Sequence, residues 1–223
     1  MARYWVPFVA LWVGATAAHA SPTAKQELQA ALAKTPNLDH GAELFQSCAA
    51  CHGASGGGSA EGDVPRIAGQ HSTVIVRQLV DYRHEARWDI RMEHYAGRKL
   101  LEDPQSIADV AAYISQLGGE QPRNVGNGEL VQHGAAVYAA KCAECHGAMG
   151  EGSGTDRVPR LAGQHYSYLL RQMYDAVDGR RPNFSRSHVR LLAKLERDDF
   201  VGIADFLARS EWAGPVPPVT HVR

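Results

Sequence analysis

Cysteine is scarce in this chain: there are four in 223 residues, and all four fall inside two copies of one pentapeptide. None remains for a structural disulfide elsewhere or for thiolate ligation of a metal. Charge of one sign is also missing. The 23 basic and 24 acidic side chains leave a formal net charge of −1, which argues against a basic face for nucleic acid. After residue 20 no apolar run approaches the roughly 20 residues that a membrane helix needs. No strand-period alternation stands out either, so the pattern predicts an all-α fold. Methionine is limited to Met1, Met92, Met149 and Met173, which restricts where a thioether ligand could come from.

The first residues read as an export signal. Arg3 gives a basic start, Trp5 to Ala18 an apolar stretch, and Ala18-His19-Ala20 a small-residue cleavage site before Ser21. Pro7 and Gly14 interrupt the stretch, which argues against a retained anchor. Cleavage removes only one formal charge, Arg3, and leaves the mature chain one unit more negative than −1. The expected location is periplasmic. About a hundred residues for each of two domains is short for a pair of independent cores, so an added apolar group would help both. The predicted divisions are a signal peptide at 1–20, an N-terminal domain at 21–118, a linker at 119–128, a C-terminal domain at 129–213 and an irregular tail at 214–223.

The repeated pentapeptide is Cys-x-x-Cys-His, present as Cys48-Ala-Ala-Cys51-His52 and Cys142-Ala-Glu-Cys145-His146. Two thiols three positions apart meet the two vinyl groups of one porphyrin as thioethers, and the imidazole of the next residue then lies under the iron. A zinc knuckle or a redox-active disulfide also uses Cys-x-x-Cys. Neither explains a histidine directly after both copies. The expectation is two covalently attached haem c groups, with His52 and His146 as the proximal iron ligands.

Residues 48–94 overlay 142–188 without a gap, at an offset of 94, and match at about twenty of 47 positions. Matched runs include Val64-Pro65-Arg66 with Val158-Pro159-Arg160, and Ala68-Gly69-Gln70-His71 with Ala162-Gly163-Gln164-His165. Each half should be one haem domain born of a duplication. Short helical patterns precede each motif, at Gly41–Phe45 and Gly134–Tyr138. Middle helices are predicted over 72–85 and 167–177. Amphipathic C-terminal helices carry Ile107, Val110, Ala111, Ile114 and Leu117 in one half and Phe200, Ile203, Ala204 and Leu207 in the other. Asp103 and Pro104 stand where a cap and a first helical residue belong. Gly53–Gly62 and Gly147–Gly154 read as glycine-rich loops.

This order of helix, Cys-x-x-Cys-His, glycine-rich loop, Pro-Arg-(Ile/Leu)-Ala-Gly-Gln, middle helix with Arg-Gln and C-terminal helix resembles class I cytochromes c. The tandem arrangement resembles the diheme cytochrome c4 family. The resemblance implies two tandem class I domains about a pseudo-twofold axis with haem propionates facing. It also implies that the carbonyls of Pro65 and Pro159 hold the free ring nitrogens of His52 and His146. Arg66 and Arg160 are then placed to meet propionates, because a guanidinium fork suits a carboxylate.

The family usually places methionine on the far side of each iron, a few residues before the leucine that starts the last helix. Here the matching positions are histidines. His188 lies seven residues before Leu195, and His94 seven before Leu101, each 42 residues after its own haem histidine. Bis-histidine ligation at both irons is therefore expected, with Met92 as a competing donor at the first; its register partner, Arg186, cannot ligate. Met149 is too close to its own motif to cross the ring. His71 and His165 are expected to make surface or propionate contacts, and His84 and His221 to be solvated.

Two imidazoles per iron favour the ferric state relative to methionine ligation and leave no vacant site. That combination predicts an electron carrier and not an enzyme, with periplasmic or membrane-bound redox proteins as partners, no nucleic acid, no membrane span in the mature chain, and peripheral membrane association left open. The alternatives are a diheme enzyme of the peroxidase or thiosulfate dehydrogenase type and a haem subunit of a larger oxidoreductase.

Overall fold

The computed structural model describes residues 22–118 and 124–211. The predicted signal peptide, the first half of the linker and the tail lie outside the described residues. Among the described residues ten helices run in order: α1 (Ala24–Leu32), α2 (Leu38–His52), α3 (Ser72–Arg83), α4 (Ile90–Ala96), α5 (Pro104–Gln116), α6 (Val131–Lys141), α7 (Ala143–His146), α8 (Tyr166–Val177), α9 (Arg186–Leu192) and α10 (Arg197–Arg209). The protein is all-α: pairing of extended chain among the described residues is confined to a single bridge between Ser153 and Val158.

In each half the N-terminal and C-terminal helices cross closely, α2 on α5 and α6 on α10. Glycine makes both crossings. A Cβ on Gly41 would overlap the Asp109 carbonyl, and one on Gly134 would overlap the backbone of Gly202. Beside each crossing an aromatic pair closes the core, Phe45 with Tyr113 at 5.5 Å and Tyr138 with Phe206 at 5.4 Å. The first core gathers Phe45, Val80, Ile107, Val110 and Ile114. The second gathers Tyr138, Leu169, Ile203 and Leu207. These include the apolar positions that the 3.6-residue period marks as facing inward.

The C-terminal helices begin and are held by devices written in the sequence. Asp103 accepts from the Ser106 amide at 2.8 Å, with Pro104 at the first helical position. A fully buried aspartate on each C-terminal helix then fixes the chain entering the N-terminal helix. Asp109 accepts from the Asn37 amide at 2.8 Å, and Asp205 accepts from the amides of Gly126 and Gly128 at 2.9 and 2.8 Å.

The halves differ where the repeat slips. Phe45 precedes Cys48 by three residues, whereas its structural counterpart Tyr138 precedes Cys142 by four. One extra residue turns an α-helix by about 100°, which would swing the second motif away from its site. The helix breaks at Cys142, at φ −122°, and restarts as α7, while α2 runs unbroken through its motif. Among the described residues, helix α1 has no counterpart in the second half. It carries a capping box between Thr23 and Gln26 and sends the buried Glu27 into an ionic cluster with Arg83, His84 and Arg98.

Candidate haem-binding sites

Each motif presents its cysteines and histidine at the end of a helix. His52 is buried, and its Nδ1 lies 2.9 Å from the Pro65 carbonyl. His146 Nδ1 lies 3.4 Å from the Pro159 carbonyl, a longer and weaker contact. A carbonyl can only accept, so Nδ1 carries the proton and Nε2 keeps its lone pair for a metal. Burial lowers the pKa of both imidazoles against the opposing effect of the proline carbonyl. That keeps them in the neutral form that ligates.

No disulfide joins Cys48 to Cys51 or Cys142 to Cys145. Burial, reinforced by the neighbouring cysteine, pushes Cys48 and Cys142 up to about 11. Such thiols stay protonated near neutrality, unlike the low-pKa thiolate of a redox-active Cys-x-x-Cys. A zinc knuckle needs four converging donors, and no three His, Cys, Asp or Glu side chains converge for one among the described residues. A cavity of about 200 Å³ opens beside Cys48, with Leu44, Tyr95, Leu100 and Leu101 among its walls and His40, Glu43 and Ser47 also lining it. The leucines and Tyr95 give the attachment thiol an apolar neighbourhood of the kind a porphyrin edge needs.

On the far side of the second motif, His188 faces His146 with ring centroids 6.0 Å apart. Two metal–imidazole bonds of about 2 Å each, plus the half-width of each ring, come to about that separation. The His188 amide is capped by Ser185 Oγ at 3.2 Å, which fixes the start of α9. Burial, then His146 and Arg181, pushes the His188 imidazole down to about 4. In the first half His94 is exposed, and its ring is edge-on to Tyr95 at 5.3 Å. Met92 is half-buried in the same helix, on the turn where Asp89 and Arg91 act electrostatically on His52.

Arg66 and Arg160 are buried at the contact between the halves, and burial together with the like charge of Arg160 pushes Arg66 down to about 10. Two guanidiniums brought together in a buried seam suit an anionic group between them, as haem propionates would provide. Around them the halves exchange bonds reciprocally. Gln164 donates to the Arg66 carbonyl at 2.7 Å and accepts from the Arg66 amide at 3.0 Å. Gln70 does the same for Arg160, at 2.9 Å in both directions.

His71 and His165, for which surface or propionate contacts were expected, are instead buried in this seam. Their Nε2 atoms donate to the carbonyls of Glu151 and Gly57, both at 2.9 Å, in the opposite half's glycine-rich loop. Glu151 and Gly57 are themselves register partners, so the contact obeys a pseudo-twofold. A second buried cluster joins the halves where Arg87 donates to Gln78, Tyr168 and Gln172 at 2.6, 2.6 and 2.9 Å. His84 is not solvated but lies 2.6 Å from Glu27. His221 lies outside the described residues. Sequence reasoning quoted Gln70 and Gln164 as repeat matches without seeing their partners, because a role between domains leaves no periodic signal.

The model of the cytochrome c family matches the chain at residues 38–118 and again at 131–208. Cytochrome c4 of Azotobacter vinelandii is 31% identical over 176 residues, spanning 72% of this chain and 82% of the relative. A thiosulfate dehydrogenase electron acceptor of Stutzerimonas stutzeri is 31% identical over 172 residues, spanning 73% and 78% respectively. The crystal structure of reduced cytochrome c4 from Pseudomonas stutzeri superposes with a TM-score of 0.69 at 23% identity, over 79% of this chain and all of that one.

Proposed function

Because the chain belongs to the cytochrome c family, with two of its domains in the c4 manner and hence two covalently bound haem c groups, we propose that it relays electrons outside the cytoplasm with histidine on both sides of each iron. Haem supplies a one-electron ferric–ferrous couple when bound. The chain's residues hold, orient and tune it. Cys48, Cys51, Cys142 and Cys145 anchor the macrocycles. Pro65 and Pro159 fix the planes of the proximal imidazoles of His52 and His146. Arg66 and Arg160 neutralise propionate charge in the seam.

The observation that carries the distal assignment is the 6.0 Å facing of His146 and His188. The ungapped repeat extends it to His94 at the first iron, with Met92 as the competing donor. Nitrogen on both faces lowers the potentials relative to methionine-ligated members of the family and leaves neither iron a substrate position, so the reading is a carrier and not an enzyme. The periplasm is the proposed compartment: the leader pattern at residues 1–20 and the chemistry of exported c-type haem both support it, and no described helix is long and apolar enough to cross a membrane. A relative named as an electron acceptor of thiosulfate dehydrogenase supports exported oxidoreductases as the class of donor. The partner contact would be small and transient.

Spectroelectrochemical titration of the holoprotein tests this reading. Two one-electron waves are expected, both raised in turn by His94→Met and His188→Met. Catalytic turnover of peroxide or thiosulfate by the isolated protein would count against the carrier assignment.

A further inference from the structure

The carbonyl that faces each haem histidine belongs to a peptide group whose other end is bound from the opposite half. Pro65 supplies the oxygen 2.9 Å from His52 Nδ1. The amide of Arg66 is the nitrogen end of that same peptide group, and it donates to Gln164 Oε1 at 3.0 Å. In the second half the Pro159 oxygen lies 3.4 Å from His146 Nδ1, and the Arg160 amide donates to Gln70 Oε1 at 2.9 Å. Each haem histidine is thus linked to a glutamine of the other half through a single peptide group with a hydrogen bond at either end.

Both glutamines are held in this orientation. Gln164 Nε2 donates to the Arg66 carbonyl at 2.7 Å, while Oε1 also accepts from the His165 amide at 3.0 Å. Gln70 Nε2 donates to the Arg160 carbonyl at 2.9 Å, and Oε1 accepts from the His71 amide at 3.1 Å. With a carbonyl facing the nitrogen and two amides facing the oxygen, neither side-chain amide can turn over. The next residue along reaches the same histidine by its main chain. His165 Nε2 donates to the Gly57 carbonyl at 2.9 Å, and the Gly58 amide, at the other end of that peptide group, donates to the His52 carbonyl at 2.9 Å. His71 Nε2 donates to the Glu151 carbonyl at 2.9 Å, and the Gly152 amide donates to the His146 carbonyl at 2.8 Å. Residues 70–71 and 164–165 therefore grip both the ring and the backbone of the haem histidine across the seam.

A peptide group transmits polarisation. A hydrogen bond donated by its N–H moves electron density onto its oxygen, which then accepts more strongly. A stronger acceptor draws on the Nδ1 proton, gives the imidazole more anionic character and makes Nε2 a better donor to iron. Better donation favours the ferric state, and hydrogen bonding around the ligand is one of the means by which a protein sets a haem potential. We propose that Gln164 and Gln70 are positioning residues that tune the haem of the opposite half, Gln164 through His52 and Gln70 through His146, so that docking of the two halves sets both potentials. The proton stays on Nδ1 throughout, and no covalent bond changes. The inference rests on His52 and His146 as iron ligands and does not depend on which residues bind the far sides.

The test is proton–nitrogen NMR of the reduced holoprotein with nitrogen-15 in its histidine rings, together with a redox titration in which each haem is followed by its own methyl signals. Gln164→Ala should move the His52 Nδ1–H signal upfield and raise the potential of the first haem alone. Gln70→Ala should do the same to His146 and the second haem alone, by a smaller amount, because the bond to Pro159 is the longer one. Bonds in a chain strengthen one another by about 10–30%, so the ferric-to-ferrous ratio at a fixed potential should fall about twofold or more at the affected haem. Gln164→Glu retains an oxygen for the Arg66 amide and should leave the His52 signal at or downfield of its wild-type position. Tyr168→Phe removes a bond from Arg87 across the same seam without touching either peptide group, and should move neither signal. Equal movement at both haems in one glutamine variant, movement at the haem of the variant's own half, or no movement in either would overturn the proposal. The carbon-bound ring protons separate the premise: if those of His52 and His146 lack the large ring-current shift of a haem ligand, the ligand reading fails, whereas its presence with unmoved Nδ1–H signals refutes the tuning alone.

Discussion

Replacing Gln164 by alanine removes one side of the seam. Its amide donates to the Arg66 carbonyl at 2.7 Å, and its oxygen accepts from the amides of Arg66 and His165, both at 3.0 Å. Arg66 is 3% exposed and His165 0%, so the three backbone groups left behind have little access to water. An unsatisfied buried group costs about 1–3 kcal/mol, which sets a floor of about 3 kcal/mol for the three, a large share of the 5–15 kcal/mol typical of a domain. The loss falls between the halves and not within either core, so urea unfolding followed by haem absorbance and circular dichroism should do two things. The first midpoint should fall, and the single transition should split as the halves unlink. Gln70→Ala should behave alike, since Gln70 makes the mirror-image bonds to Arg160 and to the His71 amide. The exposed Gln116→Ala serves as control, expected within about 0.5 kcal/mol of wild type. A change of less than about 0.5 kcal/mol in Gln164→Ala, with the transition still single, would refute the view that these amides bind the halves together.

The Glu27 cluster should govern acid stability. Burial alone would raise this carboxyl, but hydrogen bonds from His84 and Arg83 and the charges of Arg83 and Arg98 outweigh it and hold it below its ordinary 4.5. With the folded pKa depressed, its contribution is present above the unfolded value and is lost as pH falls through the folded one. Glu27→Gln should therefore flatten the acid limb below about pH 4.5 in a stability–pH series, and should lower stability at neutrality by taking the counter-charge from the buried Arg83, whose bonds to the Ala96 and Leu101 carbonyls remain. Gly134→Ala should force α6 from α10 and lower stability by about 1–3 kcal/mol or more, seen as a lower thermal midpoint. His188→Ala should leave the second iron with one strong-field ligand, read as a high-spin signal of about half the haem.

Much of the fold was legible because it is local. The Cys-x-x-Cys-His spacing, the Asp103–Pro104 start of α5 and the inward period of Ile107, Val110 and Ile114 depend on neighbours in the chain. The short helices α4 and α9 and the extra helix α1 were not read. The first two have too few turns to show a period, although the Thr23–Gln26 box before α1 was visible in the sequence. The site was legible only in part. The register of the repeat pointed to His188, and the structure sets it against His146. The same register pointed to His94, but the helix holding it starts two residues early because Asp89 caps where Asn183 does not, and so its ring sits in a different place. Gln70, Gln164, His71 and His165 were visible as matches, yet their partners are some ninety residues away across the seam, and no local pattern encodes that.

Bis-histidine ligation is tested most directly by near-infrared absorption and low-temperature electron paramagnetic resonance on the oxidised holoprotein, recorded on one sample. Low-spin signals of bis-imidazole character from both haems, with no sulfur-to-iron charge-transfer band, are the expected result. A sulfur band, or a high-spin signal amounting to a whole haem in the wild type, would contradict it.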